Sequence, residues 1–432
     1  MQLSKQLLKL LIFVFTAPSV LTAQDISYAK DIVNELASAK YNGRGYVKKG
    51  EANAASFIAS EFQRLGLKAF SDNYFQKFNI QVNTFPKDIK LVVDGKSLQP
   101  GSDYMVDAGS TSSKGKFNPV WISKKELLNP NILRSKIDET KENFLIIDNT
   151  MKRDSTAEKD IKEILQLLKY SPNINISGII ELTQQKLTWN AATYTLPHPF
   201  IQLQVDSCET DTIITIETSI QNKFFDKYQT QNVVGYLNGT VQTDSFIVFI
   251  AHYDHLGKMG NDIYFPGAND NASGIAMLLS LARYFNQHPP TCSIVFIALG
   301  AEEAGLLGAK YFTEHPLFNL NRIKFLINFD LAGTGDLGIQ VVNGTVYKDK
   351  FDMLCEINKE EDLLPQIKIR GEACNSDHCM FHRKGVPCFY IYTLGGINAY
   401  HDLNDRAETL PLTEFSDYLK LITIFVYKLN IK

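Results

Sequence analysis

Phe246-Ile247-Val248-Phe249-Ile250-Ala251-His252-Tyr253-Asp254 is the stretch that decides the fold. Six apolar residues run without interruption and then give way to an imidazole and a carboxylate. An unbroken apolar run of this length predicts a strand buried on both faces. The form recurs at 293–299, 323–329 and 386–392. Between the runs, 273–287 predicts a helix, with Ile275, Leu278, Leu279, Ala282 and Phe285 on one face. Residues 304–312 predict another. Apolar strands alternating with helices define an α/β protein whose central sheet is covered on both sides.

In such a sheet the ligand crevice lies beyond the carboxyl ends of the strands. The residues there carry chemistry. The first run leads into His252 and Asp254, the second into Glu302 and Glu303, and the third into Asp330. The fourth is followed by a Gly395-Gly396 loop that reaches His401. Asp270 stands in Pro266-Gly267-Ala268-Asn269-Asp270-Asn271, the turn that opens the 273–287 helix. One carboxylate after a strand is ordinarily a helix cap or a solvated loop residue. Two histidines and several carboxylates at one end of one sheet are a metal site, because neutral imidazole and carboxylate are the usual ligands of zinc. Five such groups exceed one tetrahedral shell and suit two ions sharing a carboxylate.

Working outward, the N-terminal part predicts helix over 26–67, with Gly66 as its stop, and a strand over 75–85. From residue 87 the texture changes to short strands at 89–93, 144–147 and 178–182, with one amphipathic helix at 158–168. This stretch has one histidine, His198, and no clustered ligand types. It is expected to be an inserted β-rich domain, 87–218, with 24–86 and 219–432 forming the catalytic domain. The first 23 residues, with Lys5 and Lys9 before an apolar run and Leu21-Thr22-Ala23 after it, predict a secretory signal peptide cleaved near Ala23. An exported location and no membrane span in the mature chain follow. Of the six cysteines, Cys208, Cys292, Cys355, Cys374, Cys379 and Cys388, the pair Cys374 and Cys379 is close enough to close a small loop. No Cys-x-x-Cys pair suggests a thiolate site.

Over 432 residues, 44% hydrophobic and 21% charged content is ordinary for a globular protein. With 44 basic residues against 47 acidic ones, net charge −3, there is no electrostatic footprint for nucleic acid.

Taken in order, His252-Tyr253-Asp254, the 266–274 segment, Glu302-Glu303-Ala304-Gly305-Leu306-Leu307-Gly308, Asn328-Phe329-Asp330 and Tyr400-His401 resemble the di-zinc exopeptidases of the bacterial leucyl aminopeptidase and aminopeptidase Y family. Glutamate carboxypeptidases and glutaminyl cyclases are relatives. The resemblance is strong over 232–432 and loose over 26–85. It implies a three-layer αβα sandwich with a mixed central sheet. It also implies two Zn²⁺ per chain: His252 and Asp330 on one, Glu303 and His401 on the other, and Asp270 between them. Asp254 would orient the His252 ring. Glu302 would be the general base that takes a proton from a water lying between the ions. The activity implied is removal of N-terminal residues from peptide substrates. The 87–218 insertion resembles a protease-associated domain by its place and texture. Ser376-Asp377-His378 resembles a segment bordering the substrate pocket. His255 is read as a rim residue and Asp405 as structural.

Three other readings bear on the same residues. Cyclases of this superfamily resemble single-zinc sites with an altered ligand set, whereas every ligand position is filled here. A dipeptide-directed carboxypeptidase would want cationic groups, for which Arg370 and Arg383 are the candidates. A non-catalytic binding protein, as transferrin receptors resemble, would have lost ligands.

Overall fold

A computed structural model describes residues 20–150, 155–205 and 213–430. Most of the expected leader, and Cys208, lie outside the described residues. The central sheet has eight strands: β1 (Phe75–Thr84), β2 (Lys223–Leu237), β3 (Gln242–His252), β4 (Cys292–Leu299), β5 (Ile323–Phe329), β6 (Ile339–Val342), β7 (Ile367–Ile369) and β8 (Cys388–Thr393). Their order is β1-β2-β4-β3-β5-β8-β6-β7. The inner four, β4-β3-β5-β8, are parallel. Antiparallel pairs β1/β2, β2/β4 and β6/β8 make the sheet mixed.

Alternation along β3 shows why its run is apolar throughout. Ile247, Phe249 and Ala251 enter one core with the helices Gly274–Gln287 and Phe415–Asn430. Phe246, Val248 and Ile250 enter another with Phe312 and Phe381, from the helices Leu307–Glu314 and His378–His382. Successive side chains point to opposite faces, so a strand with helices above and below has no polar side to offer.

Two expected elements are displaced. The helix read over 26–67 is interrupted between Leu36 and Gly50 by a short 3₁₀ turn, Ala39–Arg44, and a loop. Close backbone contact forces the break: a Cβ on Gly45 would stand 2.4 Å from the Gly257 Cα. The helix expected from 304 begins at Leu307, because Ala301 and Leu306 take positive φ and turn the Glu302–Glu303 segment out of helical geometry.

Thr84 at the end of β1 pairs with Lys223 at the start of β2. The chain thus leaves and re-enters the central sheet at one place. The excursion builds a five-stranded sheet, ordered Tyr104–Val106, Phe200–Gln204, Gly178–Thr183, Phe144–Asp148 and Val120–Ser123, parallel but for its first pair. A second sheet has four strands. The region is more helical than its β-rich texture suggested. Besides Ser155–Tyr170 there is a helix Pro130–Thr140, announced by Asn129 as N-cap and proline in the first turn. One hydrophobic cluster joins Phe85, Ile89 and Trp189 to Leu256, Met259 and Phe265, so the excursion shares a core with the segment that follows β3.

Candidate metal centre

The parallel strands β3, β4, β5 and β8 deliver their carboxyl ends to one edge, where the predicted residues meet. His252 Nε2 lies 3.4 Å from Asp330 Oδ1 and 3.4 Å from Asp270 Oδ1. His401 Nε2 lies 3.1 Å from Asp270 Oδ2 and 3.3 Å from Glu303 Oε2. Asp270 therefore divides its two oxygens between two imidazoles. The ligand-type atoms of His252, Glu302 and Asp330 fall within 4.8 Å of one another, as do those of His255, Asp270 and Glu303. Every residue expected at the site is brought there.

His255, read as a rim residue, is instead fully buried at the centre. Its Nδ1 is 2.8 Å from Glu303 Oε1, which leaves Oε2 of that carboxylate for His401. The signal that could have placed it is a third chemical side chain directly after Asp254.

Asp254 is buried beside His252, but the ring Nδ1 meets the Asp254 backbone carbonyl, at 3.2 Å, while the carboxylate stands 3.9 Å away. The carboxylate is drawn elsewhere: it accepts the backbone N–H groups of Glu302 and Glu303, at 3.0 and 3.3 Å, and the Tyr46 hydroxyl. It thus fixes the turn that presents those two glutamates and acts on the ring electrostatically. Ser376 donates to Asp330 Oδ2 at 2.9 Å and takes a hydrogen bond from Asn328, locking the β5 carboxylate. Asp377 is fully buried, and neither of its oxygens has a hydrogen-bond partner among the described residues. Cys374 and Cys379 form a disulfide in the same segment.

Two residues hold the 266–271 loop. Asp405 accepts the N–H groups of Asn269 and Asp270 at 2.7 and 2.9 Å. Arg44, missed in the sequence, is fully buried and spends its donors on five carbonyls, of Tyr253, Leu36, Pro266, Gly267 and Asp270. No periodicity marks such a residue, because it sits in the broken segment between two helices.

Burial, opposed by His252 and reinforced by Glu303, Asp377 and Asp330, raises the Glu302 carboxyl well above its ordinary range. Glu303 is pushed up to about 8 by burial and by Asp270. Asp377 is pushed up to about 8, chiefly by burial. Asp270 goes the other way: despite its burial, His401, His255 and His252 hold it below its usual value. Carboxylates packed this closely need cationic partners. The Arg44 guanidinium is committed to carbonyls. The donor set of imidazoles and carboxylates, with Asp270 facing both ways, fits a pair of zinc-type ions.

A cavity of about 310 Å³ opens over this centre, lined by Glu302, Asp330, Arg370, Tyr390, Tyr400 and His401 among others. Larger hollows lie elsewhere, but none of their linings holds the ligand residues.

Residues 232–426 match Peptidase family M28, and the chain carries a peptidase domain of that family. Aminopeptidase YwaD of Bacillus subtilis is 31% identical over 227 residues, covering 49% of this chain and 47% of that protein. A probable zinc metalloprotease of Pyricularia oryzae is 36% identical over 111 residues, 25% of this chain and 22% of the other. The chain thus spans about half or less of the length of these curated relatives. The fold is shared with solved structures over most of the chain. A zinc aminopeptidase from Bacillus subtilis superposes with TM-score 0.69 at 20% identity, covering 93% of this chain and 94% of that one. A Peptidase M28 precursor from Shewanella amazonensis gives 0.71 at 16%, covering 95% of each.

Proposed function

We propose that the chain is an exported zinc aminopeptidase that removes N-terminal residues from peptides, with two zinc ions per chain. The observation that carries the reading is Asp270, whose Oδ1 faces His252 and whose Oδ2 faces His401. His252 and Asp330 would hold one ion, Glu303 and His401 the other, and Asp270 both. Zinc held there would supply Lewis acidity toward the scissile carbonyl and ease deprotonation of a water.

The protein's own part is positioning and proton transfer. Glu302 stands at the centre without being needed as a ligand. Burial, with Glu303, Asp377 and Asp330 nearby, favours its protonated form over His252's opposing pull, the direction that helps a base accept a proton. It takes the proton from the attacking water and returns it to the departing amine. Asp254 keeps Glu302 and Glu303 in register through their backbone N–H groups. Glu302 and Asp330 give the cavity the anionic character that a free α-amine requires. The 87–218 region is read as a protease-associated-like insertion, on its place between β1 and β2 and its separate sheets. Export rests on the leader at 1–23.

The test pairs metal analysis with one substrate comparison. Protein prepared without chelator should carry two tightly held ions, and a peptide with a free N-terminus should be cleaved while its acetylated form is not. One ion or none sinks the bridging role of Asp270. Equal cleavage of both peptides sinks the aminopeptidase assignment.

One observation favours a second reading, in which the substrate's carboxylate is also recognised. Arg370 lines the same cavity, and one of its guanidinium nitrogens donates to the Tyr392 hydroxyl at 3.1 Å. Arg370→Ala should then raise KM for a free dipeptide several-fold and leave its amide unchanged. No change in either substrate removes the carboxylate-directed reading.

A further inference from the structure

We propose that Asn190, which lies in the excursion between β1 and β2, is a positioning residue of the metal centre. It fixes the His401 ring so that Nε2 faces Asp270 and Glu303. The inference rests on the zinc reading given above.

His401 stands on the loop after β8, in a left-handed backbone conformation with φ of 53°. Nothing on its own strand dictates how the ring turns. Two contacts do. Tyr400 stacks on it, with centroids 4.0 Å apart and planes 14° apart. Its Nδ1 lies 3.0 Å from Asn190 Oδ1. An amide oxygen only accepts, so this bond places the ring proton on Nδ1. Nε2 then faces Asp270 and Glu303, at 3.1 and 3.3 Å, where its lone pair would be available to an ion held between them. Imidazole ligands are oriented in this way, by an acceptor on the far nitrogen that fixes tautomer and angle together.

What distinguishes Asn190 is that its whole segment is fastened to the ligand loop. The Trp189 backbone N–H donates to the His401 carbonyl at 2.9 Å, so the same ligand is gripped at ring and main chain by neighbouring residues. Lys186 donates to the Asn398 carbonyl at 2.7 Å and pairs with Asp402, closing the grip on both sides of His401. Trp189 is itself pinned. Its indole N–H donates to the Val106 carbonyl at 2.7 Å, and its ring stacks on Phe265 with centroids 4.8 Å apart. Phe265 immediately precedes the 266–271 loop that carries Asp270. One short segment therefore braces both loops that meet at the second metal position.

The excursion was read as an inserted domain with no clustered ligand types. It holds no ligand, yet the geometry of one ligand depends on it. Partners of this kind are worth about 10–100-fold in metal affinity.

The experiment measures zinc affinity by competition with a chelator in full-length wild type, Asn190→Ala and Asn190→Asp, with urea midpoints of all three taken after metal removal. Asn190→Ala should bind its weaker-held ion about 10–100-fold less tightly, with turnover recovering in excess zinc. Asn190→Asp keeps an acceptor at the same place and should retain near wild-type affinity. The metal-free midpoints should agree among the three. Wild-type affinity in Asn190→Ala overturns the proposal. So does equal loss in both variants, or a loss that follows a lowered metal-free midpoint. A wild type that holds no zinc overturns the functional reading itself; a wild type with two ions and an unaffected Asn190→Ala overturns this inference alone.

Discussion

Two sheets of the molecule have a core of parallel strands, and among the described residues one of them gathers the ligand-type side chains. β3 ends in His252 and β5 runs directly into Asp330; the excursion's Phe144–Asp148 and Gly178–Thr183 end in Asp148 and Thr183. Both pairs are buried apolar strands. Asp148 spends its carboxylate on the backbone N–H and hydroxyl of Thr150, at 3.0 and 2.6 Å, and so caps its own turn. Asp330 is instead turned to His252 and held there by Ser376. A carboxylate at a strand end is thus a local device by default. It becomes part of a site when neighbouring strands bring donors to the same point, as β3, β4, β5 and β8 do here.

The contrast is broken most decisively at the two adjacent glutamates. Glu302→Gln should cut turnover roughly 10²–10⁴-fold, the range of a general base, and leave the metal content unchanged. Glu303→Gln should lose metal first, since its Oε2 faces His401 and its Oε1 faces His255. Metal analysis of the two proteins beside their turnover checks this. A Glu302→Gln protein that comes out empty would mean that the neighbours are exchanged in role.

This is also where the sequence was most legible. His252, Glu303 and Asp330 follow unbroken apolar runs, so strand and ligand-type residue are announced together, while Asp270 and His401 had to be read from loops. His255 and Arg44 were not legible, for different reasons. His255 follows two residues whose roles were already assigned, and no spacing rule separates a third buried group from a rim residue. Arg44 acts on backbone carbonyls, which are the same in every sequence. Asn190 was invisible because its partner is 211 positions away and neither residue alone suggests the other. The Pro130–Thr140 helix was overlooked although its cap and proline were in view, since its exposed face leaves little apolar periodicity.

A second test asks how far the two sheets are independent. Trp189 belongs to the excursion yet packs on Phe265 of the catalytic region. Trp189→Ala should cost about 3–5 kcal/mol, as large-to-small core changes do, read as a lower urea midpoint. Unfolding should remain a single transition, and zinc should bind more weakly because the brace on His401 is loosened. Two separated transitions with unchanged zinc affinity would show the excursion to be an autonomous appendage.

The smallest expected effect concerns pH and singles out the catalytic region. Glu51 lies in the helix Gly50–Arg64, is fully buried, and accepts hydrogen bonds from Tyr228, Thr230 and Gln231. Burial pushes its carboxyl up to about 7, and the nearby Asp254 adds to the rise, while the hydrogen bonds from Tyr228, Thr230 and Tyr253 oppose it. A folded-state value above the unfolded one means that folding favours the protonated form. The stabilising contribution is complete below the unfolded value of 4.5 and is lost as pH rises through about 7. Between pH 5 and 8 the loss is on the order of 2 kcal/mol. Glu51→Gln cannot ionise, so the urea midpoint of metal-free protein should fall less over that interval than in wild type. If the two pH profiles run parallel, Glu51 is already ionised in the folded chain, and the polar groups around it, rather than a proton, balance its burial.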